Sequence, residues 1–208
     1  MKEKLIRLAP ILLIVAIAIL SIILIVNLGR MMFGSGDSSN KSSETSQQER
    51  DTSTKELLTV ETERSVKMTV RGPIVANEDA RSYSVEVSPS GRSLKVLKGY
   101  NGEVINQKDH ANTSVSYDEF VHALNKANMM KGEALTGEAD DLRGVCASGH
   151  IYDFAILKNG EVVKHLWTST CGGSKGSLLA NTKQLQDLFA SQIPEFKKVV
   201  NDLGVSNL

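Results

Sequence analysis

Apolar and polar positions alternate in three distinct ways along the chain. From Leu8 to Leu28 it reads LAPILLIVAIAILSIILIVNL, 21 positions without a charge. At the helical rise this spans about 31 Å, close to the roughly 30 Å of a bilayer's hydrocarbon core. A soluble core helix would show a polar stripe, and none is present, so the pattern predicts a transmembrane helix over 8–28. Pro10 falls in its first turn, where a missing backbone N–H costs little. From Gly34 to about Arg64 the apolar period vanishes among Ser, Thr, Gln, Glu and Lys. Such a stretch cannot bury enough surface to offset its ordering entropy, which predicts a flexible tether over 29–64. Leu57, Leu58 and Val60 could start a short ordered piece at its end.

From Ser65 to the C-terminus the periods of folded elements return. Ser65 to Ala76 reads as a strand with Pro73 at a bend or a sheet edge. Tyr83, Val85 and Val87 alternate with polar residues, SPSGR makes the turn, and Leu94 and Val96 return, a hairpin. A helix follows with Tyr117, Phe120, Val121, Leu124 and Ala127 on one face. Ser116 and Glu119 form its predicted capping box, and Lys131-Gly132 its close. Tyr152, Phe154 and Ile156 then alternate up to Asn159-Gly160, a two-residue hairpin signal. Strict pairing about that turn sets Ile156 opposite Val163, Phe154 opposite His165 and Tyr152 opposite Trp167, all on the core face. A second helix is predicted from Asn181 or Thr182 through Leu185, Leu188 and Phe189, broken or kinked at Pro194 and ended by Gly204.

The two halves align at a constant offset of 69 residues. Tyr83 falls on Tyr152, Val85 on Phe154, Val87 on Ile156, Gly91 on Gly160, Leu94 on Val163, Phe120 on Phe189 and Leu124 on Ile193. The order strand, hairpin, helix, given twice, predicts an α+β fold, an antiparallel sheet with helices on one face.

Charge fixes orientation and excludes some partners. Lys2, Lys4 and Arg7 precede the apolar span and only Arg30 follows it closely, so a stub at 1–7 stays cytoplasmic and the globular domain, 65–208, is exported. A signal peptide would have a shorter apolar core and a small-residue cleavage site; here Arg30, Met31, Met32 and Phe33 follow the span, as in an uncleaved anchor. The tether carries seven acids against four bases, and the whole chain balances 24 acids with 24 bases. No basic face is left to hold nucleic acid, and the bilayer is the one partner the sequence names.

Both cysteines, Cys146 and Cys171, lie in the exported part, where an oxidising environment lets a disulfide persist. Strict hairpin pairing leaves them one diagonal apart, about 7 Å, and a bulge at Ser148-Gly149 would bring them into bonding range. The enclosed loop would contribute roughly 3–4 kcal/mol in the chain-entropy model.

Candidate chemistry is sparse. Thr168-Ser169-Thr170-Cys171 resembles the end of the Thr-Leu-x-Thr-Cys strand of sortases, membrane-anchored transpeptidases, and His110 stands 61 residues upstream of Cys171. The resemblance implies a Cys171 nucleophile with His110 as its imidazole partner. Trp167 replaces the leading Thr, and no Arg follows Cys171. Cys171 to Ser177 joins a strand to a helix but has the wrong order for a phosphate loop. Glu138, Asp140 and Asp141 lack the alternation of a calcium loop, and His110, His122, His150 and His165 lack metal-ligand spacing. No cofactor is implied. His165 reads as a packed core histidine with a backbone partner, and Trp167 as core or, beside Tyr152, as the edge of a binding groove. In layout, and in the segments CASGHIYDF and LWTSTC, the chain resembles uncharacterised single-pass envelope proteins of small-genome bacteria. The doubled unit is similar in fold to small secreted protease inhibitors. The resulting expectation is a non-enzymatic, membrane-anchored interaction module for a protein or cell-wall partner, with a sortase-like transpeptidase as the alternative.

Overall fold

A computed structural model describes residues 52–202 of the protein. The expected transmembrane helix at 8–28, its cytoplasmic stub, most of the tether and the stop at Gly204 lie outside these residues. Among the described residues no helix is long and apolar enough to cross a membrane.

Six antiparallel strands form one sheet: β1 (Arg64–Arg71), β2 (Arg81–Val87), β3 (Gly91–Lys98), β4 (Glu103–Ala111), β5 (Ile151–Lys158) and β6 (Glu161–Ser169), in the order β4-β3-β2-β1-β5-β6. Helices α1 (Ser114–Lys126), α2 (Thr182–Ser191) and α3 (Phe196–Asp202) cover one face. Valine and methionine alternating with polar residues make β1 the centre. Val66, Met68 and Val70 are fully buried under the helices, while Ser65, Lys67 and Thr69 turn to the other face. The α+β class and the helix-covered antiparallel sheet follow the expectation.

The 69-residue offset reappears as register. Val70 stands between Tyr83 and Tyr152, Met68 between Val85 and Phe154, and Val66 between Val87 and Ile156. The two hairpins are therefore laid on either side of one shared strand, about 10 Å apart, and the two helices bring Phe120 and Phe189 edge to face at 5.2 Å. Phe189 also meets Phe154 at 6.0 Å, and Tyr83 meets Phe196 at 5.5 Å. The offset fails on the return strands. Val85 pairs with Leu94, whereas Phe154 pairs with Leu166, and Val163 is exposed. The second unit also lacks a leading strand of its own, because residues 133–150 run as a loop with a single 3-10 turn at Gly137–Asp140.

Several boundaries move, each for a local reason. The tether ends early: residues 52–57 are helical, Leu57 is 1% exposed in the core, and buried Arg64 pairs with Glu56 and Glu61. β1 stops at Arg71 rather than Ala76, since Pro73 has no N–H for the ladder. The N-cap of α1 is Thr113, whose hydroxyl accepts from Ser116 N at 3.1 Å, so the expected Ser116 cap sits inside the helix. That helix ends before Asn128, which takes a left-handed φ of 62°, rather than at Lys131-Gly132. The second cap, Asn181, and the break near Pro194 are where the sequence sets them. β4 has no counterpart in the hydrophobic pattern, because as an edge strand it is exposed or half-exposed throughout.

Candidate functional site

The face of the sheet turned away from the helices is where the polar positions of every strand collect. A cleft of about 670 Å³ opens at one end of it. Its floor is Thr69 and Arg71 of β1, Ser82 of β2, Leu97 of β3 and Ile151 of β5; Arg71 lies in register between Ser82 and Ile151. One wall is the segment after β1, with Pro73 and Ile74, and the β3–β4 turn closes the end with Tyr100. The opposite wall is Leu142 to Cys146.

That opposite wall belongs to a loop without regular structure, and three separate links hold it down. Cys146 is disulfide-bonded to Cys171, just beyond β6, with Cα atoms 5.5 Å apart. Ile74 N donates to Ala147 O at 2.8 Å, which ties the two walls together. The third link is ionic. His165 on β6 donates from Nδ1 to Asp153 Oδ1 of β5 and from Nε2 to Asp140 Oδ2 of the loop, both at 2.9 Å. Trp167 Nε1 donates to the other oxygen of Asp140 at 3.2 Å. The hydrogen bond to Asp153 is the main cause that pushes the His165 pKa up to about 9, with Asp140 adding to it against the opposing effect of burial. The imidazole is therefore a cation at neutral pH, and both of its N–H groups are committed. Trp167 is 3% exposed and forms a small second core with Cys146, Ile151, Leu135, Leu142 and Val145.

Two glycines permit this packing. A Cβ on Gly149 would lie 2.2 Å from Thr170 Oγ1 and 2.9 Å from Cys146 Sγ. Gly176 has a φ of 71°, and a Cβ there would lie 2.2 Å from Trp167 O and 2.6 Å from its ring.

Electrostatically the cleft is one-sided: Arg71, Arg81 and Arg143 line it, and among the described residues no carboxylate does. Two of the three are engaged. Arg81 Nη1 donates to the carbonyls of Glu78 and Ala80. Arg143 is paired with Asp141 at 2.5 Å, an interaction that holds the Asp141 carboxyl at about 2. Arg71 has no carboxylate partner among the described residues and is exposed.

The residues singled out from sequence are distributed differently from their expected grouping. The cysteines pair as expected, but without a bulge at Ser148-Gly149: Cys146 lies in the irregular loop before β5, and the bulge of this hairpin is in β6, where Val163 is the extra residue opposite Ile156/Leu157. The bulge makes Phe154 pair with Leu166 instead of His165. A one-residue slip turns every later side chain over, so His165 and Trp167 lie on the loop side of the sheet, away from the helices. Tyr152 stays on the helix side and does not rim a groove with Trp167; its ring neighbour is His150 at 6.5 Å. His165 has two carboxylate partners in place of the expected backbone one. His110 is on β4, at one edge of the sheet, and Cys171 follows β6 at the other, so five strand spacings, about 24 Å, separate the elements. The Cys171 sulfur is in the disulfide. The cleft itself had no sequence signal; its nearest trace is Gly72-Pro73 after β1 with Gly99 and Gly102 in the β3–β4 turn. Among the described residues no group of His, Cys, Asp and Glu is placed to hold a metal ion. No protein-family model matches the chain, and no curated protein is significantly similar to it.

Proposed function

We propose that the chain is a single-pass envelope protein that displays this domain outside the membrane and binds a partner in the cleft, without carrying out chemistry on it. The observation that carries the reading is the triple fastening of the Leu142–Cys146 wall. An irregular loop held by a disulfide, a cross-wall hydrogen bond and a doubly bonded imidazolium is pre-ordered, and pre-ordering a wall removes an entropic cost of binding. The anchor reading rests on the uncharged span at 8–28 with its basic N-terminal flank. A disulfide fits the oxidising compartment this orientation implies.

The test is site-specific photo-cross-linking in intact membranes, with the cross-linker at Ile74 on the cleft or at His122 on α1. Capture of a discrete partner from Ile74, its loss on Leu142→Asp, and none from His122 are expected. Equal capture at both positions would refute the reading. Thiol alkylation on the same membranes without reductant should label neither cysteine. Rapid labelling of Cys171 would revive the transpeptidase alternative. Replacing both cysteines by Ala should lower stability by about 2–5 kcal/mol while capture persists at low temperature.

A further inference from the structure

We infer that the cleft takes a carboxylate carried on a small apolar body, an inference that rests on the binding reading above and specifies its ligand. Three observations converge. First, among the described residues the lining is cationic without a single carboxylate, and Arg71 is the one arginine of the three with no partner there already using its donors. A guanidinium presents paired N–H donors that match the two oxygens of a carboxylate. Second, Arg71 stands on the floor beside the hydroxyls of Thr69 and Ser82, with Pro73, Ile74, Leu142 and Val145 rising on the two sides. A ligand that lays its charge on the floor is therefore flanked by hydrocarbon. Third, the volume of about 670 Å³ lies within the range of small-ligand sites, room for one or two residues or a short acyl chain.

Other chemistries fit less well. A phosphate or sulfate site gathers several free cationic donors, and here Arg81 and Arg143 are already bonded. A cation would meet arginines and no acid. Tyr100, which could have offered a ring and hydroxyl to a sugar, spends its hydroxyl on Val75, accepting from N at 3.0 Å and donating to O at 2.6 Å.

The carboxylate can come from a peptide C-terminus or from an acyl chain, and binding to the full-length protein in lipid nanodiscs separates them. The probes are dansyl-Ala-Ala-Leu as free acid and as amide, with hexanoate as competitor. The free acid is expected to bind about tenfold more tightly than the amide, the factor that 1.4 kcal/mol supplies. That preference should disappear in Arg71→Gln and survive in Arg143→Gln, with melting curves for both variants matching the parent. Displacement by hexanoate at the peptide's own concentration range identifies the acyl source; failure to displace identifies the peptide terminus. Either supports the inference. Equal binding of acid and amide overturns it and leaves the binding reading standing, as does an acid preference that persists in Arg71→Gln. Absence of binding by every probe also overturns it, while the Ile74 cross-linking decides the broader reading independently.

Discussion

Replacing His165 by Ala should destabilise the protein in a way that fades as the pH rises. The imidazole donates 2.9 Å hydrogen bonds to Asp153 and Asp140, and these partners lift it from an ordinary 6.5 to about 9. At about 1.4 kcal/mol per pH unit the shift sets a ceiling of about 3 kcal/mol. The side chain keeps 25% of its surface in solvent, and solvent screening reduces this charge-dependent part to about 1–2 kcal/mol. Because the folded-state value is raised, the contribution is complete below about 6.5 and is lost as the pH passes through about 9. The gap in unfolding free energy between the parent and His165→Ala should therefore narrow by about 1–2 kcal/mol between pH 6.5 and 10, leaving a constant remainder from lost packing. Burial pushes Tyr83 and Tyr117 up to about 12, so these core phenols stay protonated throughout. Urea unfolding at several pH values is the assay. Trp167, the only tryptophan, reports it directly, since its indole shares Asp140 with the imidazole. A gap that stays flat, or widens with pH, would refute the reasoning.

Gly176→Ala should be strongly damaging, because the left-handed φ and the 2.2 Å approach to Trp167 O leave no place for a methyl group. A fall in Tm with a red shift of Trp167 emission is expected, while Gly172→Ala, which would meet nothing within 4 Å, should leave both unchanged. Phe189→Ala should cost about 3–5 kcal/mol in chemical denaturation, since its fully buried ring joins Phe120 of α1 to Phe154 of β5. A loss below about 1 kcal/mol would mean that the hairpins and helices are not packed through this ring.

The hydrophobic pattern of residues 65–208 carried the layout by itself. Period-two runs at Tyr83–Val87 and Tyr152–Ile156, helical stripes through Phe120 and Phe189, and an equal 69-residue spacing between them are local properties of the chain. They also had to satisfy one shared core, which is why they reappear as the register on both sides of β1. The cysteine pairing was legible for a related reason, since both residues flank the same hairpin. β4 was not legible, because a strand wetted on both faces leaves no period to read.

The site belongs to the other category. A single bulge in β6, where Val163 is the extra residue opposite Ile156/Leu157, decides which face His165 and Trp167 occupy, with no marker in the residues around it. Only after that turn does Asp140, 25 residues from His165 and 27 from Trp167, become their partner. The cleft gathers its floor from four strands and its walls from three loops, and Arg71 is distinguished from Arg81 and Arg143 only by what each one touches. Sequence determines which residues must leave water, because burial depends on the periodicity of neighbouring positions. Which polar residues meet on the face that stays wet depends on register and loop closure, and these are settled only when the whole sheet has formed.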